Sequence, residues 1–284
     1  MKHRSSATLA GFGAILLWSA LALLTAATGA VPPFQLTAMT FAIGGLAGLA
    51  VLIVRGEAGV LWQRPTAWLL GVGGLFSYHA LFFAALRSAP PAEAGLVNHL
   101  WPLLIVLFSA LLPGERLHLR HILGAAIGFG GLVVLFVGKG GGFSALSTGH
   151  ALALCAAFVW ASYSLLSRRF ADVPSGAVAG FCLATALLAG LLHLATEATL
   201  WPSGAAQWLA LAVLGLGPVG AAFFLWDHGV KRGDIRLIGV LSYAAPVLST
   251  LWLVVLGYAE PGWPLAAACA MIVAGALVAS RRSK

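Results

Sequence analysis

Charge is confined to narrow bands along this chain. No Lys, Arg, Asp or Glu occurs in residues 5–54, 65–86, 94–114, 121–138, 140–167, 173–196, 198–226, 237–259 or 261–280. A bilayer core of about 30 Å needs roughly 20 apolar residues in a helix that rises ~1.5 Å per residue. Dividing the first stretch at Gly29-Ala30-Val31-Pro32-Pro33 gives ten segments of that order. They predict helices at 8–27, 34–54, 66–86, 92–112, 120–137, 149–168, 175–196, 206–230, 234–256 and 263–280. Almost nothing is left over for a soluble domain. The expected fold is an all-α membrane protein with ten transmembrane helices.

The net charge of +8 could suggest a nucleic-acid partner, but its distribution argues for topology instead. Alternating the loops from side to side places 14 of the 16 Lys and Arg on the side of the N-terminus, and only Arg87 and Lys139 on the other. Basic loops stay in the cytoplasm, so both termini are expected to be cytoplasmic. No nucleic-acid partner is expected; the surroundings are membrane lipid, in the bacterial inner membrane. Cys155, Cys182 and Cys269 fall within three different predicted helices, which suits buried small apolar residues better than disulfides or a metal cluster. The first helix has signal-peptide features, but its apolar run is longer than a usual signal core, so it is expected to stay.

The two halves resemble each other. Trp18-Ser19-Ala20-Leu21-Ala22-Leu23-Leu24 aligns with Trp160-Ala161-Ser162-Tyr163-Ser164-Leu165-Leu166, and Gly95…Asn98-His99…Trp101-Pro102 aligns with Gly239…Ser242-Tyr243…Ala245-Pro246 at an offset of 144. Gly114-Glu115 matches Gly257 and Glu260 with a small insertion. The expected division is a five-helix repeat over 1–138, a Gly-rich linker at 139–148 and a second repeat over 149–284. An odd helix count sends the second copy into the membrane from the opposite side, so the repeats are expected to be inverted, as in many secondary transporters. Gly140-Gly141-Gly142 does not read as a phosphate loop, because no Gly-Lys-Ser/Thr follows.

Five helices twice, a Trp in the opening helix of each copy, Gly…Pro in the fourth, and Leu111-Leu112-Pro113-Gly114-Glu115 before a Gly-rich helix together resemble the drug/metabolite transporter superfamily and its duplicated EamA repeat. Within it, the set rich in aromatics resembles the aromatic amino acid exporters. The resemblance implies ten helices around a central cavity lined by the first, third, fourth, sixth, eighth and ninth.

Charge is missing from the centre of every predicted helix. A Lys, Arg or Asp there would cost at least about 2.5–3.5 kcal/mol on insertion scales. Carriers of sugar phosphates would want a buried cation, and small proton-coupled multidrug pumps a carboxylate in the first helix. This chain has neither. What lies at mid-depth is aromatic and neutral-polar, and the candidate substrate-binding set is Trp18, Tyr78, His79, Asn98, His99, Trp101, Trp160, Tyr163, Ser242 and Tyr243. Ser19, Ser77 and Ser162 accompany it. Trp62, Trp68, Trp201, Trp208 and Trp263 lie near helix ends, where interfacial aromatics gather.

Pro102 and Pro246 each remove a hydrogen bond to the carbonyl four residues back, at Asn98 and Ser242. These matched kinks are candidate hinges, substrate contacts, or plain packing features. Gly44/Gly48, Gly124/Gly128 and Ala266/Ala270/Ala274 have the spacing that lets helices approach closely, which reads as scaffold and leaves a monomer expected. The expected function is export of aromatic or similar neutral metabolites by alternating access. The rival is efflux of cationic or lipophilic toxic compounds held through cation–π contacts. An intramembrane enzyme would need a convergent catalytic set, and only His79, His99 and Asn98 are at hand. No catalytic residues, metal or cofactor are expected.

Overall fold

The computed structural model describes residues 2–112, 117–138, 140–142, 145–256, 260 and 262–280, and every regular element among them is helical. The main helices are α1 (Lys2–Ser19), α2 (Leu21–Ala27), α3 (Pro33–Val54), α4 (Pro65–Ser88), α5 (Pro91–Asn98), α6 (Trp101–Phe108) and α7 (Leu119–Gly138). They continue as α8 (Thr148–Ser167), α9 (Val178–Thr196), α10 (Ala205–Leu216), α11 (Ala222–Arg232), α12 (Ile235–Leu241), α13 (Ala244–Val255) and α14 (Trp263–Ser280). Pro33, Pro65 and Pro91 open their helices, where a missing N–H costs nothing and φ is already set. Gly29 turns the chain between α2 and α3 at φ +76°, a conformation that disfavours any other residue.

Among the described residues, nine helical runs are long and apolar enough to cross a membrane; the last, Trp263–Ala279, is shorter. Their bounds follow the charge-free stretches closely, but four of the ten expected helices are interrupted. The first breaks at Ala20, the fourth at His99-Leu100, the eighth over Gly217–Ala221 and the ninth at Ser242-Tyr243. The outside of the bundle is apolar, with Leu46, Ile53, Val54, Leu191, Leu194 and Leu209 all exposed. Such a surface needs lipid, not water. Trp62, Trp201, Trp208 and Trp263 are exposed as the interfacial reading requires, whereas Trp68 packs edge-on against Phe181. Pro113–Arg116, Lys139, Gly257, Arg281, Arg282 and Lys284, used above for the repeat, the family resemblance, the linker and the charge count, lie outside the described residues.

Helices pair across the sequence: α1 with α11, α3 with α9, α4 with α8, α6 with α12 and α7 with α14. Lipid removes the hydrophobic drive for such pairing, so close backbone approach has to supply it. A Cβ on Gly229 would lie 2.6 Å from Gly11 Cα, and one on Gly124 would lie 2.5 Å from the Gly275 carbonyl oxygen. The Ala266/Ala270/Ala274 stripe does not serve in this way. It faces outward, and α14 meets α7 through Ala268, Gly275 and Ala279. Cys155 likewise departs from the expected burial and is exposed, while Cys182 is buried and Cys269 is partly so.

One buried carboxylate joins three helices. Glu197, just past α9, accepts from the backbone N–H groups of Phe34 and Gln35 at the start of α3, pairs with Arg87 of α4, and meets His193 Nδ1 at 3.0 Å. Burial alone would push this carboxyl up, but the hydrogen bonds from His193, Phe34 and Gln35, with the Arg87 charge, outweigh it and hold the group below its ordinary value. A depressed carboxyl stabilises the fold above its unfolded-state value, and that stability is lost as pH falls through the folded-state value.

Two outcomes follow. In detergent, thermal stability should fall more steeply on acidification for the native protein than for Glu197→Gln, measured from pH 7 downward. Gly229→Ala should destabilise by about 1–3 kcal/mol through overpacking. Gly73→Ala, which meets open space, should leave the midpoint unchanged or slightly raised.

Candidate functional site

The interrupted helices converge on one cavity. At the first break, Ser19 turns its hydroxyl back to the Leu16 carbonyl at 2.6 Å and accepts from Trp252 Nε1–H at 2.9 Å, and Ala20 closes a tighter turn onto Leu17. In the eighth span, Gly217-Pro218 cannot continue the α-helical ladder, and the chain widens into one π-turn over Gly217–Ala221. The Pro218 carbonyl takes the indole N–H of Trp18 at 2.9 Å instead. In the fourth and ninth spans α5 stops at Asn98 and α12 at Leu241, each a few residues ahead of a proline.

The cavity has a volume of about 300 Å³, at the lower edge of the roughly 300–1,000 Å³ typical of ligand sites. Trp18, Tyr78, Trp101, Trp160, Phe82 and Phe223 give it an aromatic wall, while Asn98, His79, His99 and Ser249 supply its polar groups. Beneath it four indoles meet. Trp226 lies 5.0 Å from Trp18, 5.6 Å from Trp101 and 5.9 Å from Trp160, ring centre to ring centre. Trp226 is anchored by its N–H to Ser164 Oγ at 3.1 Å. The indole N–H groups of Trp101 and Trp160 make no hydrogen bond to described residues.

Asn98 donates from Nδ2 to Tyr78 Oη at 3.0 Å. Its Oδ1 is buried and has no partner among the described residues. His79 and His99 are fixed in one way: each ring nitrogen Nδ1 lies 2.7 Å from the carbonyl four residues back, Leu75 and Gly95 respectively. A carbonyl only accepts, so Nδ1 carries the proton, and Nε2 of each neutral ring is an acceptor.

The cavity is blind at one end. Its lining runs from Trp18 to Ala22, from Tyr78 to Phe82 and from Pro246 to Ser249, toward the end where α2, α4 and α13 finish. Toward the other end, Ile15, Leu75, Ile105, Trp226 and Ile238 are wholly buried. That closed end carries a buried ion pair. Asp227 and Lys231 form an ion pair at 2.8 Å, each side chain 3% exposed, without the alignment of a full hydrogen bond. Lys231 also donates to the Val173 carbonyl at 2.9 Å, and Arg64–Asp172 and Arg4–Asp234 pair nearby at 3.1 and 3.4 Å.

Of the residues singled out from sequence, Trp18, Tyr78, His79, Asn98, His99, Trp101, Trp160 and Pro246 line this cavity. The others do not. Tyr163 touches Trp160 from the closed side and lies over Gly74. Ser242 spends its hydroxyl on the Ile238 carbonyl, and Tyr243 packs over Gly128 beside Phe129. Pro102 sits inside α6 away from the lining. The Ser242 carbonyl, expected to be left open by Pro246, accepts from Ala245 N–H at 3.2 Å. Trp226, Phe223, Phe82, Ser249 and Pro218 went unread in the sequence. Gly217-Pro218 inside an apolar run was the available signal.

The model of the EamA-like transporter family matches residues 5–137 and again 147–281. The chain is 59% identical over 281 residues to a protein of Ancylobacter novellus named aromatic amino acid exporter YddG, with 98% of each covered. It is 27% identical to the Escherichia coli protein of the same name, with 97% of each covered. A crystal structure with 59% sequence identity covers 98% of both chains at a TM-score of 0.93.

Trp18→Phe should lower stability by about 1–3 kcal/mol in a denaturation series, because the Pro218 carbonyl loses its donor at a depth where water cannot replace it. Trp101→Phe, which strands no carbonyl, should cost less.

Proposed function

The chain belongs to the EamA-like transporter family, as a multi-pass protein of the inner membrane, and we propose that it exports aromatic and related hydrophobic amino acids by alternating access through this cavity. The observation that carries the reading is an uncharged aromatic chamber with single acceptors and donors left over. A zwitterion needs both. Asn98 Oδ1 and the acceptor Nε2 of His79 or His99 suit the ammonium, the indole N–H groups of Trp101 and Trp160 suit the carboxylate, and the Trp18, Tyr78 and Phe223 rings suit the side chain. The fixed tautomer suits the histidines to the ammonium and not to the carboxylate.

The two stretches matched by the family model support two five-helix repeats, 1–138 and 149–284, joined through 139–148. Helix pairing supports an inverted relation between them. Exchange of the halves returns the α3–α9 and α7–α14 pairs to themselves and turns α4–α8 into α11–α1. The basic residues gathered at the closed end support cytoplasmic termini. The cavity then faces outward, and the cytoplasmic path is shut by the indole cluster and the Asp227–Lys231 pair. Pro102 and Pro246 mark the hinges. The exporter works as a monomer, its partner a small-molecule substrate.

In proteoliposomes loaded with Phe or Trp, Asn98→Leu should weaken apparent substrate affinity by roughly 10–100-fold, the worth of one hydrogen bond to a charged group. Trp101→Ala should weaken it as well. Native transport by both variants, with folding confirmed by their elution and melting, overturns the site. Competition by quaternary ammonium dyes instead of Trp would favour the efflux reading.

A further inference from the structure

A second concavity lies on the outside of the bundle, in the seam between α4 and α8. It is a groove of about 530 Å³ lined by Gly73, Gly74, Phe158, Leu166 and Phe170 among others. The groove is largely open, and Leu69, Phe158 and Leu166 on its walls are exposed. Gly73 contributes much of the hollow, since a Cβ built there meets nothing within 4 Å.

Two features set this groove apart from an ordinary lipid-facing surface. First, the hydroxyls of Thr66, Ser77 and Ser162 line it with no hydrogen-bond partner among the described residues. Lipid tails cannot satisfy a hydroxyl, so these groups need an occupant that brings acceptors. Second, its charged end carries cations. Arg64 lies over the Phe170 ring, 4.6 Å from its centre, and Arg169 is the exposed neighbour of Phe170, with no acidic partner among the described residues. Asp172, paired with Arg64, offsets only one of them.

We propose that this groove holds an anionic phospholipid, one acyl chain along Gly73 and Gly74, its glycerol esters near the free hydroxyls and its phosphate at Arg169 and Arg64. This rests on the orientation given above, which puts Arg64 and Arg169 at the cytoplasmic leaflet, where anionic lipid is concentrated. The bound chain would fill the seam between two helices that also carry the cavity residues Tyr78 and Trp160, so lipid composition would bear on the transport cycle.

The test is carried out on purified full-length protein in detergent, where neither leaflet nor transport enters the readout. Phosphatidylglycerol, phosphatidylcholine of the same chains and soluble glycerol 3-phosphate are each titrated, following the melting midpoint and lipid adducts by native mass spectrometry. Phosphatidylglycerol should bind and stabilise more than phosphatidylcholine, and glycerol 3-phosphate should do neither. Arg169→Gln should weaken phosphatidylglycerol binding roughly fivefold. Gly73→Leu, which fills the groove without touching the cations, should abolish the preference while keeping the lipid-free midpoint. Equal binding of the two lipids, full binding by Gly73→Leu, or equal stabilisation by glycerol 3-phosphate overturns the proposal. Cysteine labelling of the termini in intact cells tests the orientation separately, so the two failures cannot be confused.

Discussion

Lipid offers no hydrogen bonds, so a helix that breaks inside a membrane must be repaired by the protein itself. Much of the interior here can be derived from that demand. The π-turn at Gly217–Ala221 frees the Pro218 carbonyl, and only a donor brought from another helix can answer it. Trp18 does so from 200 residues away, which brings a large aromatic ring to the centre of the bundle. The break at Ala20 is answered in the same manner, with Ser19 placed between the Leu16 carbonyl and the Trp252 indole. Helix breaks and indoles therefore occur together because each repairs the other, and a cavity forms where straight helices would have closed.

Charge obeys a complementary rule. The ionised groups lie toward the ends of the bundle, and those that are buried there are paired: Asp227 with Lys231, Glu197 with Arg87, and Glu93 with His150 at 2.9 Å. Breaking a buried pair strands an uncompensated charge, so such pairs act as fixed points of a conformation more than as sources of stability. Asp227–Lys231 adds a link to the Val173 carbonyl, which ties α11 to the connector before α9. A passage opened through this end would have to pull that link apart.

The fold was largely legible because a hydrophobic span declares its own length. Charge-free runs placed the helices, and Pro102 and Pro246 pointed to the fourth and ninth as the disturbed ones. The eighth helix was read as continuous because Gly217-Pro218 lies in an apolar run whose hydropathy does not dip. Trp226 is hard to read for a related reason: it stands beside Asp227, a residue type found at helix ends near water, yet the ion pair with Lys231 lets that turn be buried. Tyr163, Ser242 and Tyr243 had the right chemistry at the right depth. Depth alone does not fix which face of a helix looks inward, and a rotation of one residue, about 100°, separates Trp160 on the lining from its neighbours. Glu197 could not be read as a cap because its partners lie more than 160 residues earlier.

Selectivity follows from what the chamber leaves unsatisfied. A cationic drug would find aromatic faces but no anion, and the two histidines, whose Nδ1–H groups bond to the Leu75 and Gly95 carbonyls, offer Nε2 lone pairs. An inorganic anion would find no cation. A molecule that carries both charged groups on one carbon has no net charge and asks only for one acceptor, one donor and a dry wall. Asn98 Oδ1 is such an acceptor, held in place by the bond from its own Nδ2 to Tyr78. That bond ties Asn98 to the aromatic wall, since a shift of the Tyr78 ring also moves the Asn98 amide. On the proposed mode of binding, recognition of the side chain and of the amino-acid backbone would be coupled through this pair, and a substrate without an aromatic side chain would forfeit both.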